Sequence, residues 1–177
     1  MADDSVEPGP VEPGPIEPWL RGPLEGVHAL VAPTLHAYMQ VREDLERWTD
    51  GLSDVQIWSR PHGLAPVGFQ LRHIAGSVER LTTYLRGEQL TTRQLEAARG
   101  EMQPGPGRAE LLEMVTHSLH DSERVLLSID PANFASVRVV GRKQLPTTVA
   151  GLVVHLAEHT QRHVGELIIT TKLARMP

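Results

Sequence analysis

Residues 148–173 read TVAGLVVHLAEHTQRHVGELIITTKL. Apolar residues recur here at steps of three and four, which at roughly 100° per residue place them on one face of an α-helix. Leu156 and Leu167 lie on that face, and His159 and His163 lie between them. The segment therefore predicts a long helix whose core-facing side carries two histidines.

Three other long segments share this helical periodicity, and a shorter one lies between the second and third long helices. Residues 136–140 (SVRVV) alternate and indicate a short strand or an extended link. Pro33 indicates either the start of the first helix or a kink in it. Pro146 indicates the start of the last helix. Without a convincing run of strands, the pattern predicts an all-α protein, a four-helix bundle with long crossover connections and one short extra helix. The predicted helices before the last one are 24–50, 67–86, 91–100 and 108–129.

The first residues of the chain differ in composition from the rest. Residues 6–15 repeat the motif VEPGP, and Pro and Gly at this density cannot build a core. Residues 1–18 hold five of the 22 acidic residues and no Lys or Arg, so the remaining 17 acids balance the 17 bases. We therefore predict a Pro/Gly-rich acidic arm over 1–22 and a single bundle domain over 23–177.

Charge and composition also argue against several classes of protein. A body without net charge lacks the concentrated basic face that nucleic acid binding needs. No apolar run approaches membrane-spanning length, and the acidic N-terminus does not resemble a signal peptide. We expect a cytoplasmic protein with neither nucleic acid nor membrane as a partner. The absence of cysteine excludes disulfides and a thiol nucleophile of the protein's own.

The two core-facing histidines need a partner. Two imidazoles buried side by side are costly to desolvate, and neither can charge easily there. Because neutral imidazole is the commonest protein ligand for metals, a divalent cation would satisfy both rings. We therefore predict that His159 and His163 are metal ligands. Zinc is the default ion, and nickel or iron also suits imidazole ligands.

Two ligands make a weak site, and His73 is the best candidate for a third. It falls in the middle of the helix predicted over 67–86, where Phe69 and Leu81 continue an inward face, and bundles build metal sites from facing helices. Three histidines leave one tetrahedral position open, as in catalytic zinc sites. His155 lies on the flank of the histidine stripe, and we expect it to contact the ligands rather than the metal.

Two other interpretations of these histidines stay open. Each could be a hydrogen-bonded core residue, which is the commoner role for a single buried histidine. His155, Glu158 and His159 also match the inverted zinc-protease motif H-x-x-E-H, in which Glu158 would be the general base. That motif needs a further acidic ligand on another element, whereas the residues after His159 continue the same helix.

Three segments together carry a family resemblance: QIWSRP (56–61), LRHIAGSVERLTTYLRG (71–87) and HLAEHTQRHVGELIITTKL (155–173). They resemble the DinB-like metalloprotein superfamily, and the resemblance extends over about residues 24–173. It implies a four-helix bundle that binds a divalent metal through one histidine of the second helix and two of the fourth. Carried onto this chain, those ligands are His73, His159 and His163.

The resemblance also implies a function. In characterised branches of the family, the metal site serves thiol-dependent transfer or isomerisation with a low-molecular-weight thiol such as mycothiol, bacillithiol or glutathione. It implies a homodimeric S-transferase that acts on small electrophiles with such a thiol as cosubstrate. Glu166 stands where the family often has Gln, and Glu166 and Glu158 are the candidate proton-transfer residues. The alternatives are a non-catalytic, metal-stabilised dimeric bundle or binding module, and a metal-dependent hydrolase with one of these carboxylates as base.

Overall fold

The computed structural model describes residues 15–176 and is mainly helical. Its strands form one antiparallel hairpin within the described residues, so the all-α prediction is confirmed. The helices are α1 (Ala32–Thr49), α2 (Asp54–Trp58), α3 (Val67–Leu85), α4 (Thr92–Gly100), α5 (Arg108–Leu127) and α6 (Val149–Ala174), and the strands are β1 (Val137–Val140) and β2 (Leu145–Thr148).

The four long helices contact one another in a closed ring. In this ring α6 packs against both α1 and α3, and α5 packs against the opposite sides of the same two helices. Helices α1 and α3 are therefore diagonal to each other, as are α5 and α6. The connections 50–66 and 128–148 join diagonal helices, and they are the predicted long crossovers. The short helix α4 occupies the predicted position between α3 and α5.

Several predicted boundaries need correction. Helix α1 begins at Ala32 rather than near residue 24, and Pro33 lies in its first turn, where a missing N–H costs nothing. Helix α2 was not predicted, although a capping box of Ser53 and Gln56 marks its start. Pro146 is not a helix start signal, because it belongs to β2 and faces Val139 of β1 in the hairpin. Strand β2 leads directly into α6.

A series of hydrogen-bonded hydroxyl groups crosses the mainly aliphatic core. The hydroxyl of Tyr38 on α1 lies 3.0 Å from Oγ of Ser122 on α5. The hydroxyl of Thr82 on α3 donates a hydrogen bond of 2.9 Å to the same Oγ. All three residues are buried, and burial raises the pKa of Tyr38, so that its phenol stays protonated. These hydrogen bonds thus link α1, α5 and α3, three of the four long helices.

The N-terminal arm predicted over 1–22 is described only in its last part, since residues 1–14 lie outside the described residues. Pro18 is buried in a short 3-10 turn that packs against α1, while Trp19 and Leu20 remain exposed. Arg21 pairs with Glu43 of α1 at 2.5 Å. Among residues 15–176, no helix combines the length and apolar character needed to cross a membrane.

Candidate metal centre

Three histidines from two helices converge between α3 and α6. One ring nitrogen from each of His73, His159 and His163 lies within 4.8 Å of the others. The ring centroids of His73 and His163 are 4.3 Å apart, and those of His159 and His163 are 4.6 Å apart. The structure therefore brings together all three residues that the sequence predicted as ligands, and all three are only partly buried.

Hydrogen bonds hold the outer nitrogens of two of these rings. Nδ1 of His73 donates to Oε2 of Glu101 at 2.6 Å. Nδ1 of His163 donates to the amide oxygen of Gln70 at 2.7 Å, and the amide nitrogen of Gln70 donates to Glu166 at 2.9 Å. Because a proton on Nδ1 leaves the lone pair on Nε2, both rings present an acceptor nitrogen to the cluster.

Glu101 is the buried anion of this site, with only 5% of its surface exposed. It lies just after α4, and its second carboxylate oxygen accepts a hydrogen bond of 2.6 Å from Arg80 of α3. Burial opposes ionisation, but the hydrogen bonds from His73 and Arg80 hold the pKa of Glu101 below its usual value. The carboxylate is therefore ionised at neutral pH and can only accept hydrogen bonds, which fixes the tautomer of His73.

The site favours uncharged imidazoles. Burial, followed by the neighbouring rings of His163 and His73, lowers the pKa of His159 to about 4. Burial and His73 also lower the pKa of His163. Both rings are neutral at pH 7, which is the protonation state that a metal ligand needs.

The spacing of the nitrogens suits a tetrahedral ion. Two ligand nitrogens each about 2.0–2.1 Å from one zinc ion, at a tetrahedral angle, are about 3.3 Å apart. The Nε2 atoms of His73 and His159 are 3.2 Å apart. The donor set, the tautomers and this distance therefore fit a divalent cation. Three protein ligands leave a fourth position for a small molecule.

The remaining residues predicted near the site, His155, Glu158 and Glu166, differ in how close they lie to the three histidines. The ring of His155 is exposed and lies 5.2 Å from that of His159, and its Nδ1 is 3.0 Å from Glu158. Glu158 also pairs with Arg162 along the exposed side of α6. The carboxylate of Glu166 lies closer to the cluster, 3.4 Å from Nδ1 of His163. Of the two candidate acids, the structure thus places Glu166 beside a clustered histidine.

Sequence reasoning missed Gln70 and Glu101. Gln70 precedes His73 by three positions on α3, so helical spacing places the two side chains next to each other. This spacing could have identified Gln70 as a residue beside the site. Glu101 offered no signal, because it lies 28 positions from His73 in the chain and follows a short helix. Only the packing of the α4 end against α3 brings it to the ring.

Comparison with known proteins identifies the family. A family profile described as the DinB superfamily matches residues 37–167, a span that contains the three clustered histidines. A search of curated protein sequences found no match. Because the profile covers well over half of a chain with this helical fold and this histidine cluster, the protein belongs to the DinB superfamily.

Proposed function

We propose that His73, His159 and His163 bind a divalent metal and that the protein uses it for thiol-dependent transfer to small electrophiles. The observation that supports this proposal is the convergence of three imidazoles, two of them with Nδ1 already hydrogen-bonded. Zinc fits three neutral nitrogen ligands and an open position best, and nickel or iron is compatible with the same donors.

A divalent cation in this site would lower the pKa of a thiol or a water molecule in its fourth position. The residues of the chain itself orient the site. Glu101 and Gln70 fix two ligand rings. Imidazole ligands bring no negative charge to a divalent cation, so an anionic fourth ligand would be favoured. The chain contains no cysteine, so the sulfur must come from a low-molecular-weight thiol.

In the proposed reaction, the sulfur of that thiol forms a bond to an electrophilic carbon, and the leaving group departs with its electron pair. The thiol proton must leave the sulfur, and Glu166 is the candidate carboxylate closer to the histidine cluster. It lies on the outer, Nδ1 side of the His163 ring, so the proton reaches it through solvent. It is half exposed and lies 3.4 Å from Nδ1 of His163. A carboxylate in contact with water can pass a proton to the solvent.

The test is a rate measurement on protein loaded with zinc or nickel. A panel of thiols is combined with 1-chloro-2,4-dinitrobenzene, and formation of the thioether is followed by absorbance. We expect a metal-dependent rate with at least one thiol, and we expect His159→Ala to abolish it. His155→Ala is the matched control on the same helix. If neither metal loading nor any thiol of the panel increases the rate, the transferase proposal is rejected.

A second candidate is a non-catalytic role in which the metal clamps α3 to α6. The ligands on these two helices are 86 positions apart in the chain, so a shared ion would restrain a long loop. Cobalt-substituted protein separates the two roles, because azide or a thiol changes the visible spectrum only when the fourth position is accessible. Metal-dependent ester hydrolysis without thiol would instead indicate a hydrolase.

The homodimer implied by the family resemblance stays a prediction. Sedimentation velocity on the full chain tests it directly, with and without added metal.

A further inference from the structure

A cleft separate from the histidine cluster opens between α3, α4 and α5. Its volume is about 640 Å³, within the range of about 300–1,000 Å³ that small-molecule sites occupy. Thr82, Thr83 and Ser122 contribute buried hydroxyls to its lining. Ala97 of α4 and Met114 of α5 contribute exposed apolar surface. The cleft is thus partly apolar and open to solvent.

Glu101 separates this cleft from the histidines. It lines the cleft, and the same carboxylate accepts the hydrogen bond from Nδ1 of His73. Nε2 of His73 lies at the other side of the imidazole, 3.2 Å from Nε2 of His159. The ring of His73 therefore stands between the cleft and the point where a metal would bind. A molecule in the cleft cannot occupy the open position of that metal.

Each carboxylate that lines the cleft already has a cationic partner. Glu101 pairs with Arg80 at 2.6 Å, and Asp121 pairs with Arg124 at 2.8 Å. Glu79 lies 4.0 Å from Arg93, at the limit of an ion pair. The negative charges of the cleft are therefore compensated.

Two arginines that line the cleft are not compensated. Neither Arg72 nor Arg86 has a carboxylate within 4.0 Å among residues 15–176. Arg72 donates to two backbone carbonyl groups, those of Gly100 and Gln103, which leaves its positive charge unneutralised. Arg86 is exposed at the end of α3. Arg86 thus places a positive charge without a carboxylate partner, among residues 15–176, beside the apolar surface of the cleft.

We propose that this cleft binds a small organic carboxylate with an apolar body. The carboxylate lies against Arg86, whose guanidinium offers paired donors that match it. The apolar body of the ligand contacts Ala97 and Met114. The buried side chains of Thr83 and Gln94 form the inner wall of the cleft. This site is distinct from the metal centre and does not depend on the proposed transferase activity.

The test uses the full chain and two probes. Binding of 8-anilino-1-naphthalenesulfonate is followed by fluorescence, and decanoate is then titrated to displace it, with decanol as the uncharged comparison. We expect saturable binding of one dye per chain and displacement by decanoate at concentrations at which decanol has little effect. Because Arg86 is exposed, loss of its ion pair predicts that Arg86→Ala weakens decanoate binding by roughly 2- to 5-fold.

Three further variants define where the ligand binds. Ala97→Phe fills the cleft from an exposed position of α4 and should also weaken binding, while Arg99→Ala removes an arginine of α4 that does not line the cleft and should not. His159→Ala should leave decanoate binding unchanged. Unchanged affinity in both Arg86→Ala and Ala97→Phe would overturn the proposal, as would equal displacement by decanol. Loss of binding in a folded His159→Ala protein would overturn the separation of the two sites.

Discussion

Nδ1 of His73 and Oε2 of Glu101 are 2.6 Å apart, although 28 positions of sequence separate the two residues. Glu101 also binds Arg80, and Gly76 makes room for this pair on α3. A Cβ atom at position 76 would lie 2.6 Å from Oε1 of Glu101 and 2.7 Å from a guanidinium nitrogen of Arg80. A side chain at position 76 would therefore force Glu101 or Arg80 to shift, so the missing side chain on α3 helps the buried carboxylate reach the ring of His73.

Replacing Glu101 tests its effect on the metal centre. Residues that orient metal-binding histidines typically contribute about 10- to 100-fold in affinity. We expect Glu101→Gln to weaken zinc or cobalt binding by about 10-fold, as measured by competition with a chromogenic chelator. Glu158→Gln on the exposed side of α6 is the control and should bind metal as the wild type does. Equal affinities in both variants would show that Glu101 does not position the ligand.

Two alanine variants on α6 distinguish ligands from neighbours. His159→Ala removes one of three converging nitrogens, so we expect metal affinity to fall by roughly 100-fold or more. His155→Ala removes an exposed ring whose Nδ1 lies near Glu158, and the metal content should stay at one ion per chain. Metal analysis of the purified variants after dialysis gives both values. A loss of metal in His155→Ala would make that residue a ligand and contradict the assignment.

Metal binding should raise the thermal stability of the protein. An ion that binds only the folded state at 100 times its Kd adds about 2.7 kcal/mol, or roughly 5–10 °C in Tm for a chain of this size. Differential scanning calorimetry of chelator-treated protein, with and without zinc, measures the shift. His73→Ala should remove the shift, because the ion would then lack its only ligand from α3. A wild-type Tm that zinc does not change would contradict a metal site.

The metal-free protein should lose stability in mild acid. The pKa of His159 is about 4 in the folded protein, against an ordinary value of 6.5. Between these pH values the unfolded chain binds a proton that the folded chain rejects, so the free energy of unfolding falls as the pH decreases from 6.5 to 4. Urea unfolding at several pH values measures this slope. His159→Asn cannot titrate and should show a shallower slope, whereas identical slopes would contradict the lowered pKa.

Two helix glycines should respond in opposite ways to alanine. A Cβ atom at Gly68 would lie 2.7–2.9 Å from ring carbons of Trp58. That ring cannot easily move, since its Nε1 donates to the carbonyl of Pro106 at 2.9 Å and Arg72 lies over its face. We expect Gly68→Ala to cost about 1–3 kcal/mol of unfolding free energy.

Gly165 on α6 is the matched control for Gly68. Nothing lies within 4 Å of a Cβ atom at Gly165, so Gly165→Ala should stabilise the protein by about 0.5–1 kcal/mol through helix propensity. Chemical denaturation of both variants gives the two values. Equal effects would show that the contact with Trp58 imposes no constraint.

The four long helices, the short helix α4 and the histidine cluster were accessible from sequence because they depend on local periodicity. The four-residue spacing of His159 and His163 is a property of one helix. A place on the inward face of α3 made His73 the best candidate for a third ligand, and the family resemblance implied the same residue. The alternation of residues 136–140 indicated a short strand or an extended link, and β1 lies there. Strand β2 was not accessible, because Leu145 to Thr148 become a strand only by pairing with Val137 to Val140. Pro146 and Thr147 in that segment favour a helix start equally well.

The partners of the histidines depend on tertiary packing. Glu101 appears in the sequence as one of 22 acidic residues, and nothing local distinguishes it from an exposed carboxylate. Its burial follows from how α4 ends against α3. The cleft beside it has the same origin, because it is bounded by three helices whose relative placement no periodicity specifies.

The hydrogen bonds that connect the hydroxyl groups of Tyr38, Ser122 and Thr82 restrict the axial positions of α1, α5 and α3 relative to one another. Contacts between leucine and valine side chains are not directional, so they define the axial offset between helices less sharply than hydrogen bonds do. The hydroxyl oxygens of Tyr38, Ser122 and Thr82 are within hydrogen-bond distance at only one axial position of their helices. Moving one helix along its axis would leave buried hydroxyl groups without a hydrogen-bond partner. These hydrogen bonds therefore set the axial position of α3, the helix that carries His73, relative to α1 and α5.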